Sequence, residues 1–202
     1  MIKALPHLAI GLAVSLGSIC GAIKPAEAGL ESAFEAVAIA TVQGRSSRLT
    51  VERGGPVLSW VRKTASGHAL HVARVHADRL GHPAIVAEGN RWFINPFDRP
   101  SVVALSGTNL AAHWLERTGP TQYGYGIRMK FSRDNGKTWG ATIVPHLDRA
   151  PVQHGFVHML PMSSQSLRMV WLDGRQHTAA TTTSEPMALL SANVDTMGRI
   201  TN

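Results

Sequence analysis

One tryptophan recurs at the same place in three successive segments, and this repeat constrains the fold more than any other feature. Trp60, Trp114 and Trp171 are 54 and 57 residues apart. Each lies in a short apolar run that has other short apolar runs on both sides. A repeat of this length is typical of architectures that stack one supersecondary unit many times. We therefore interpret most of the 202-residue chain as a series of similar units.

Each unit contains short runs rich in Val, Ile, Leu and Trp, separated by turn signals, which predicts β-strands. The first unit has four runs: LTVER, VLSWVR, HALHVARV and AIVAEG. The second also has four: SVVALS, LAAHWLER, GYGIRMKFSR and ATIVPH. The third has FVHMLP, LRMVWLDG and PMALLSANV. Four-stranded units of this length are typical of β-propeller blades, so the predicted fold class is all-β. A two-sheet sandwich is the alternative, but it would not require the tryptophan to recur.

The predicted blades span about 48–89, 100–146 and 155–202. The third reaches Asn202 where a fourth strand is due. Because propellers close with four to eight blades, we expect this chain to be the amino-terminal part of a longer, six-bladed propeller and not competent alone. The segment ESAFEAVAIA is the main helix signal outside the leader, as a short helix or the leader's tail.

The amino terminus has the pattern of a secretory signal peptide. Lys3 precedes the apolar run LAIGLAVSLGSICGAI, and PAEAG follows Lys24. This pattern predicts residues 1–28 as the leader, cleaved after Ala28, and 29–47 as a lead-in. A retained anchor and a lipoprotein at Cys20 are the weaker alternatives. We expect an exported, periplasmic or extracellular protein with no stable membrane insertion once the leader is removed.

Composition excludes several classes of site. The single cysteine, Cys20, lies in the predicted leader, so the mature chain would have no disulfide and no thiolate metal site. The histidines lack metal-binding spacing, and we expect neither a metal nor a cofactor. The formal net charge of +7 favours an anionic partner or serves only solubility. No lysine-rich tract or aromatic–basic module indicates a nucleic-acid partner.

One turn carries a specific motif, S-x-D-x-G-x-x-W, within FSRDNGKTWG. It comprises Ser132, Asp134, Gly136 and Trp139 and joins the third and fourth runs of the second unit. Asn135-Gly136 is a hairpin signal, the Asp and Ser side chains can bond the turn backbone, and the tryptophan can pack between sheets. We expect a structural role for this motif.

The motif is the Asp-box of the sialidase and BNR-repeat superfamily, which the chain resembles from about Arg48 onward. PSVVAL, LAAHWLER, HGFV and MVWLDGR also look like a bacterial exo-α-sialidase-like family with secretory leaders. The equivalent turns at Asp78 and Asp195 keep only the Asp and a following Gly. The resemblance implies a glycan or acidic-sugar substrate. It also implies an arginine triad and an acidic Asp, with a Tyr nucleophile paired with Glu.

Strand order places this turn on the face opposite the expected pocket. In a blade with strands A to D, the A-to-B and C-to-D turns share one end, and the D-to-A and B-to-C loops share the other. The resemblance places the sialidase pocket at that second end. The charged, polar or aromatic candidates there are Arg62, Lys63, Asn90, Arg91, Trp92, Asn95, Asp98, Arg99, Glu116, Arg117, Asp148, Arg149, His154, Asp173 and Arg175.

From this set we predict Asp98 and Asp173 as catalytic residues. An Asp can act as a general acid, and an Arg fork can bind a sugar carboxylate. The predicted substrate-binding residues are Arg62, Arg99, His154, Arg175 and Trp92. Charged loop residues are often only solvated or paired with one another, and Trp92 is equally well explained by packing between blades.

The chain departs from the sialidase pattern in two ways. The early Arg-Ile-Pro motif is absent, so no arginine triad is assigned. Tyr123 and Tyr125 fall in a predicted B-to-C loop of the second unit, whereas the family's nucleophile comes from a late blade. Three hypotheses follow: an exported sialidase-like glycoside hydrolase, a non-catalytic propeller that binds a glycan or protein, and an assembly factor.

Overall fold

Every regular element in the described residues is a β-strand. The computed structural model describes residues 44–121, 123–176 and 186–201, and its eleven strands form three antiparallel sheets. The predicted leader (1–28), ESAFEAVAIA and the lead-in up to residue 43 lie outside the described residues. Within the described ranges, no helix is long and apolar enough to cross a membrane.

The first sheet has the predicted four strands in chain order. They are β1 (Arg45–Glu52), β2 (Gly55–Thr64), β3 (Gly67–Arg74) and β4 (Ala84–Gly89), each paired antiparallel with the next. β1 begins three residues before the predicted start of the unit. β2 is also longer than the predicted run, so Arg62 and Lys63 lie on this strand and not in the loop that follows.

The second sheet contains β5 (Ser101–Ser106), β6 (Asn109–Arg117) and β7 (Tyr125–Ser132). The predicted fourth strand, ATIVPH, is reduced to one antiparallel bridge between Met129 and Ile143, so the prediction was wrong in extent. Residues 141 and 142 are exposed, and Pro145 has no N–H to donate to a ladder, which limits pairing here.

The third sheet contains β8 (His154–Pro161), β9 (Ser166–Asp173), β10 (Ala188–Asp195) and β11 (Ile200–Thr201). β11 pairs with β10 through Val194 and Asn193. Three successive antiparallel sheets of this kind are the blades of a β-propeller, which confirms the predicted fold class.

Apolar side chains fill the spaces between neighbouring sheets. One cluster joins the first two sheets, with Val57 and Leu70 against Val102 and Trp114. A second cluster joins the second and third sheets, with Val103 and Ile127 against Met159 and Trp171. Fully burying a side chain of this size is worth about 1.5–3 kcal/mol, so these two clusters hold the sheets together.

The loops divide between two ends of the stack. At the Asp-box end, the Asn135 backbone N–H donates to the Thr108 carbonyl at 2.8 Å, which joins a C-to-D turn to an A-to-B turn. Asn109 donates to the Ser164 carbonyl at 2.7 Å, which joins two A-to-B turns. The opposite end, called here the loop end, carries residues 90–100, 118–121, 123–124 and 146–153.

The innermost strands of the first and third sheets share a β-bulge at the loop end. The register shifts between Arg45 and Arg48 in β1, and between Gly155 and His158 in β8. Within these bulges Ser46 and Phe156 both have φ of 53°, the left-handed region that side chains other than glycine rarely adopt. Bulges bend a strand and re-aim its side chains, and they are frequent beside active sites.

Candidate functional site

The Asp-box turn is closed by its own side chains. Ser132 Oγ donates to Asp134 Oδ1 and accepts from the Gly136 N–H, both at 2.8 Å. Asp134 also accepts from the Thr138 N–H and hydroxyl, and these bonds lower its pKa to about 2. Trp139 donates from Nε1 to the Gly136 carbonyl at 3.1 Å. Because these groups bond to one another at the Asp-box end, the geometry is that of a turn.

Asp98 occupies a central position at the loop end. It stands three residues before Ser101, as Gly155 stands three residues before His158, so its position in the second unit corresponds to that of Gly155 in the third. Its carboxyl is almost fully buried, at 3% exposure, and accepts the Phe156 backbone N–H at 2.5 Å. Burial raises the pKa of Asp98, while the N–H groups and nearby positive charges oppose the shift.

Gly155 lets this arrangement form. A side chain there would collide with the Asp98 carboxylate and approach the Tyr125 ring at 3.0 Å. Tyr125 is buried and stacks on Phe93, with ring centroids 3.9 Å apart. The Arg117 guanidinium lies over the Phe93 ring of this pair, 5.3 Å from the ring centroid. An aromatic wall therefore stands beside the buried carboxyl.

Tyr125 lies at the start of β7 and not in a loop, so that part of the prediction was wrong. Its neighbour Tyr123 is the loop residue and is exposed. Burial, together with the charge of Asp98 and the effect of Tyr123, raises the pKa of Tyr125 to about 12. Tyr125 is thus a neutral phenol at physiological pH, which makes it a poor nucleophile without a base beside it.

Positively charged and imidazole groups from the inner strands surround Asp98, and sequence reasoning did not single them out. Arg48 and His158 each lower its pKa by their charge. The register shows why they meet: Arg48, Ser101 and His158 each pair with the residue just before the repeated tryptophan. Aligning the three units on that tryptophan would have found them.

His113 is the fully buried member of this group. Its Nδ1 bonds the Ser101 hydroxyl at 3.1 Å, and its Nε2 has no hydrogen-bond partner among the described residues. Burial, followed by the charges of Arg48 and His158, lowers the pKa of His113 to about 3. The imidazole is therefore neutral near pH 7.

A second buried cluster contains two of the predicted site residues, His154 and Asp173. His154 Nε2 lies 3.2 Å from Asp148 Oδ2 and 3.7 Å from Asp173 Oδ2. Its Nδ1 faces the carbonyls of Val152 and Tyr125 at 3.2 and 3.4 Å. Both ring nitrogens of His154 therefore face acceptor oxygens.

Arg175 completes the charge balance of this cluster. Its guanidinium donates to both oxygens of Asp173, Nε to Oδ1 and Nη2 to Oδ2, each at 2.8 Å. Burial alone would raise the pKa of Asp173, but the bonds from Arg175 and Trp171 lower it to about 2. The Asp173 carboxylate is thus ionised, and both of its oxygens accept hydrogen bonds. Because an ionised carboxylate has no proton to donate, Asp173 suits an ion pair better than the predicted role of general acid.

The carboxylates of Asp148 and Asp173 and the Nε2 of His154 lie within 4.8 Å of one another, so they could hold a metal ion. The sequence prediction of no metal did not anticipate this convergence. The bidentate Arg175 already neutralises one of the carboxylates. His154 Nε2 lies within 3.7 Å of both carboxylates, so the described side chains already contact the oxygens that a cation would need.

His146 packs against this cluster. Its ring stacks on His154 with centroids 3.9 Å apart. It accepts the Ile127 N–H at Nε2 and donates from Nδ1 to the Asp148 carbonyl at 2.7 Å. Burial, followed by the electrostatic effect of His154, lowers the pKa of His146 to about 4, so the His146 ring is neutral near pH 7.

In two of the sheets, the acidic residue two positions after the repeated tryptophan accepts a hydrogen bond from the tryptophan indole. Trp114 Nε1 donates to Glu116 Oε1, and Trp171 Nε1 donates to Asp173 Oδ2, both at 2.9 Å. In the first sheet this position is Arg62, which cannot accept. The charged residue two positions after the tryptophan therefore has a structural role in two of the three units, because it accepts the indole N–H.

The remaining predicted residues lie apart from these clusters. Arg62 is exposed and lines a shallow cavity of about 290 Å³ with Arg45 and Lys63. Arg99 is exposed and donates to the Pro96 carbonyl at 2.8 Å. Trp92 is buried and stacks on Trp114 at 5.7 Å. This burial favours the packing alternative for Trp92 over a sugar platform.

Comparisons with known proteins give structural neighbours only. No protein-family model and no curated protein matches the chain. An α-L-arabinanase from Penicillium chrysogenum, solved with arabinobiose, is 12% identical over 75% of this chain and 48% of its own, with a TM-score of 0.43. An endo-arabinase from Bacteroides thetaiotaomicron is 15% identical over 78% and 59%, with a TM-score of 0.46.

The chain thus spans about half to three fifths of the length of these two structures. At this level of similarity they carry no argument about chemistry, and the fold assignment depends on the three sheets themselves. Both neighbours are named as arabinanases, so the resemblance to sialidases remains a prediction from sequence.

Proposed function

We propose that the protein is the blade scaffold of an exported glycoside hydrolase, with its active centre at the loop end around Asp98. The observation that carries this proposal is the Asp98 carboxyl, which is buried and held by the Phe156 N–H. Burial raises its pKa, as a general acid requires in order to keep its proton near neutral pH.

In this role the Asp98 proton is transferred to the glycosidic oxygen as the bond between that oxygen and the anomeric carbon breaks. A water molecule adds to the anomeric carbon and releases a proton to solvent, which completes the hydrolysis. The Phe156 N–H stabilises the carboxylate that remains. Arg48 and His158 add positive charge beside it, and Asp148, His154, Asp173 and Arg175 hold the neighbouring loops in place. Tyr125 is a neutral phenol, so it is not an activated nucleophile.

The sequence resemblance favours an exo-α-sialidase type of substrate, a sugar that carries a carboxylate. The cationic groups near Asp98 are compatible with such a substrate, because Arg binds carboxylates in bidentate fashion. The names of the two structural neighbours suggest arabinose-containing glycans as a second class for testing.

The test is turnover of two fluorogenic substrates, a 4-methylumbelliferyl α-sialoside and an α-L-arabinofuranoside, by the full chain. Asp98→Asn should lower turnover by about 10²–10⁴-fold, the usual contribution of a general acid. Asp134→Asn is the matched control at the Asp-box end and should leave turnover unchanged. Wild-type protein that contains all of its predicted blades and turns over neither substrate would overturn the hydrolase proposal.

A non-catalytic glycan- or protein-binding propeller is the second candidate. Arg175, predicted to bind a substrate carboxylate, already has its guanidinium occupied by Asp173. A guanidinium whose donors already bind a carboxylate of the same chain is what a structural ion pair would show. Glycan binding that is retained in the absence of turnover would favour this candidate.

A further inference from the structure

A cavity of about 540 Å³ lies between the first and second sheets at the Asp-box end. Its walls come from the turn between β3 and β4 and from the Asp-box turn, together with residues of β2, β3 and β6. The cavity is therefore formed inside the stack and not on either outer face. Its size is within the range of about 300–1,000 Å³ that is usual for small-molecule sites.

The buried part of the cavity lining is apolar. Val57, Val72 and Leu110 line the cavity and are each at most 3% exposed. They belong to the cluster that packs the first two sheets together, and Trp139 of the Asp-box packs against the same cluster. Because packed core residues are held in fixed positions, this part of the lining offers a preformed apolar surface to a ligand.

The exposed part of the lining is basic. It comprises His76, Arg79, His82 and Lys137. Within the described residues, the lining contains no Asp or Glu side chain. Arg79 pairs with Asp78 at 3.1 Å, but both side chains are exposed, and such pairs are only weakly stabilising. The Arg79 guanidinium can therefore exchange this partner for an anionic ligand.

Arg74 adds a positive charge that is fixed in place. Its Nε donates to Asn135 Oδ1 at 2.7 Å, and its Nη2 donates to the Gly107 carbonyl at 2.8 Å. Its Nη1 donates to the Gly54 carbonyl. These acceptors are uncharged groups of three separate turns, so they orient the guanidinium without neutralising it. The cavity therefore has a positively charged lining that would attract an anion.

We propose that this cavity binds a small organic anion, with its apolar body against the buried lining and its anionic group against the exposed basic residues. A guanidinium and an ammonium bind a carboxylate by charge-assisted hydrogen bonds. A sugar acid linked to an apolar group has both features. The cavity lies at the opposite end of the strands from Asp98, so this inference goes beyond the proposed hydrolase activity, and its readout is binding and not turnover.

The experiment is calorimetric titration of the protein with two probes, 4-methylumbelliferyl β-D-glucuronide and 4-methylumbelliferyl β-D-glucoside. The probes share one apolar group, and only the glucuronide has a carboxylate, so it should bind at least about tenfold more tightly. Arg79→Gln and Lys137→Gln should each weaken its binding about tenfold, because each removes a charged donor. Arg53→Gln is the matched control, since Arg53 is an exposed cation in the turn between β1 and β2 and does not line the cavity.

A second measurement locates the bound probe without changing a charge that holds it. In a Cys20→Ser background, the glucuronide should slow the alkylation of a thiol at His82→Cys and should not slow it at Leu147→Cys, which is 84% exposed at the loop end. Protection of the second thiol alone would place the probe at the loop end and overturn the proposal.

Three other results would also overturn it. The first is equal affinity for the glucuronide and the glucoside, because the basic residues would then not be read. The second is equal affinity for inorganic sulfate and the glucuronide, because the apolar lining would then contribute nothing. The third is glucuronide binding that both Arg79→Gln and Lys137→Gln retain in full.

Discussion

The Phe156 backbone N–H donates to the Asp98 carboxylate at 2.5 Å across the boundary between the second and third sheets. The contact depends on a bulge in β8, which gives Phe156 a φ of 53° and points its N–H toward the carboxyl. The strained backbone and the buried acid are therefore parts of one arrangement.

The pH dependence of turnover should report the protonation of Asp98. Because a general acid works only while protonated, the rate should fall as the pH rises through the Asp98 pKa, which burial raises. Asp98→Glu should keep a measurable alkaline limb, and Asp98→Asn should remove it. The measurement is kcat/KM across pH, and a limb that persists in Asp98→Asn would assign it to another group.

Strain at Phe156 should be visible in a pair of substitutions. Phe156→Gly and Phe156→Ala remove the same ring, but only Gly adopts a positive φ freely. The Gly variant should be more stable than the Ala variant by about 1 kcal/mol, the cost of a left-handed residue. Ser46→Gly and Ser46→Ala form the equivalent pair in β1. Urea unfolding of all four proteins tests this, and equal stability within each pair would contradict it.

The Asp-box turn should contribute to stability and not to turnover. Ser132→Ala removes the acceptor of the buried Gly136 N–H and should destabilise the fold by about 1–3 kcal/mol. Ser163, whose bonds lie in an exposed turn, is the control position for the same change. Thermal unfolding and turnover are measured together, and a loss of kcat without a loss of stability would place chemistry at the Asp-box end.

The fold should lose stability on acidification because His113 is buried as a neutral ring. Its pKa is about 3 when folded and about 6.5 when unfolded, so the unfolded chain binds the proton first. This contribution is complete above pH 6.5 and is lost as the pH falls toward 3, at up to about 1.4 kcal/mol per pH unit. His113→Leu should flatten the dependence of urea midpoints on pH. Identical slopes for wild type and His113→Leu would contradict the assignment.

The Asp173–Arg175 pair should matter more than an exposed ion pair. Asp173→Asn keeps an acceptor for Trp171 but removes the charge, and should cost about 1–3 kcal/mol after allowance for the partly exposed Arg175. Asp195→Asn, which weakens the exposed pair with Arg199, should cost about 0–1 kcal/mol. A double-mutant cycle with Arg175→Gln isolates the pair, and a coupling energy near zero would show that the bidentate contact does not stabilise the fold.

The sheets could be predicted from the sequence because each carries strong local signals. Apolar runs, turn residues and the recurring tryptophan agreed with one another. The four predicted strands of the first unit form, as do the first three of the second unit and the three of the third. The predicted strand ATIVPH is reduced to one bridge at Ile143. The apolar residues of this segment predicted a strand, but they could not show that its other backbone groups would not pair with β7.

The candidate site was predicted only in part. Asp98, His154, Asp173 and Arg175 stood out as charged residues beside strands. The groups around Asp98 did not, because Arg48, His113 and His158 look like ordinary strand residues until the register aligns them. Which residues of two strands lie opposite each other is a relation between distant parts of the chain. A single sequence shows it only when the repeated units are aligned with one another.

The hydrogen bond from the repeated tryptophan to the acid two residues later has a wider consequence. Trp114 and Trp171 belong to the packing between sheets, while Glu116 and Asp173 contribute charge at the loop end. Replacing either tryptophan by another apolar residue would remove one hydrogen-bond donor from the acid while Arg128 or Arg175 still contacts it. A change made in the packing between sheets would therefore also alter how the charges at the loop end are held.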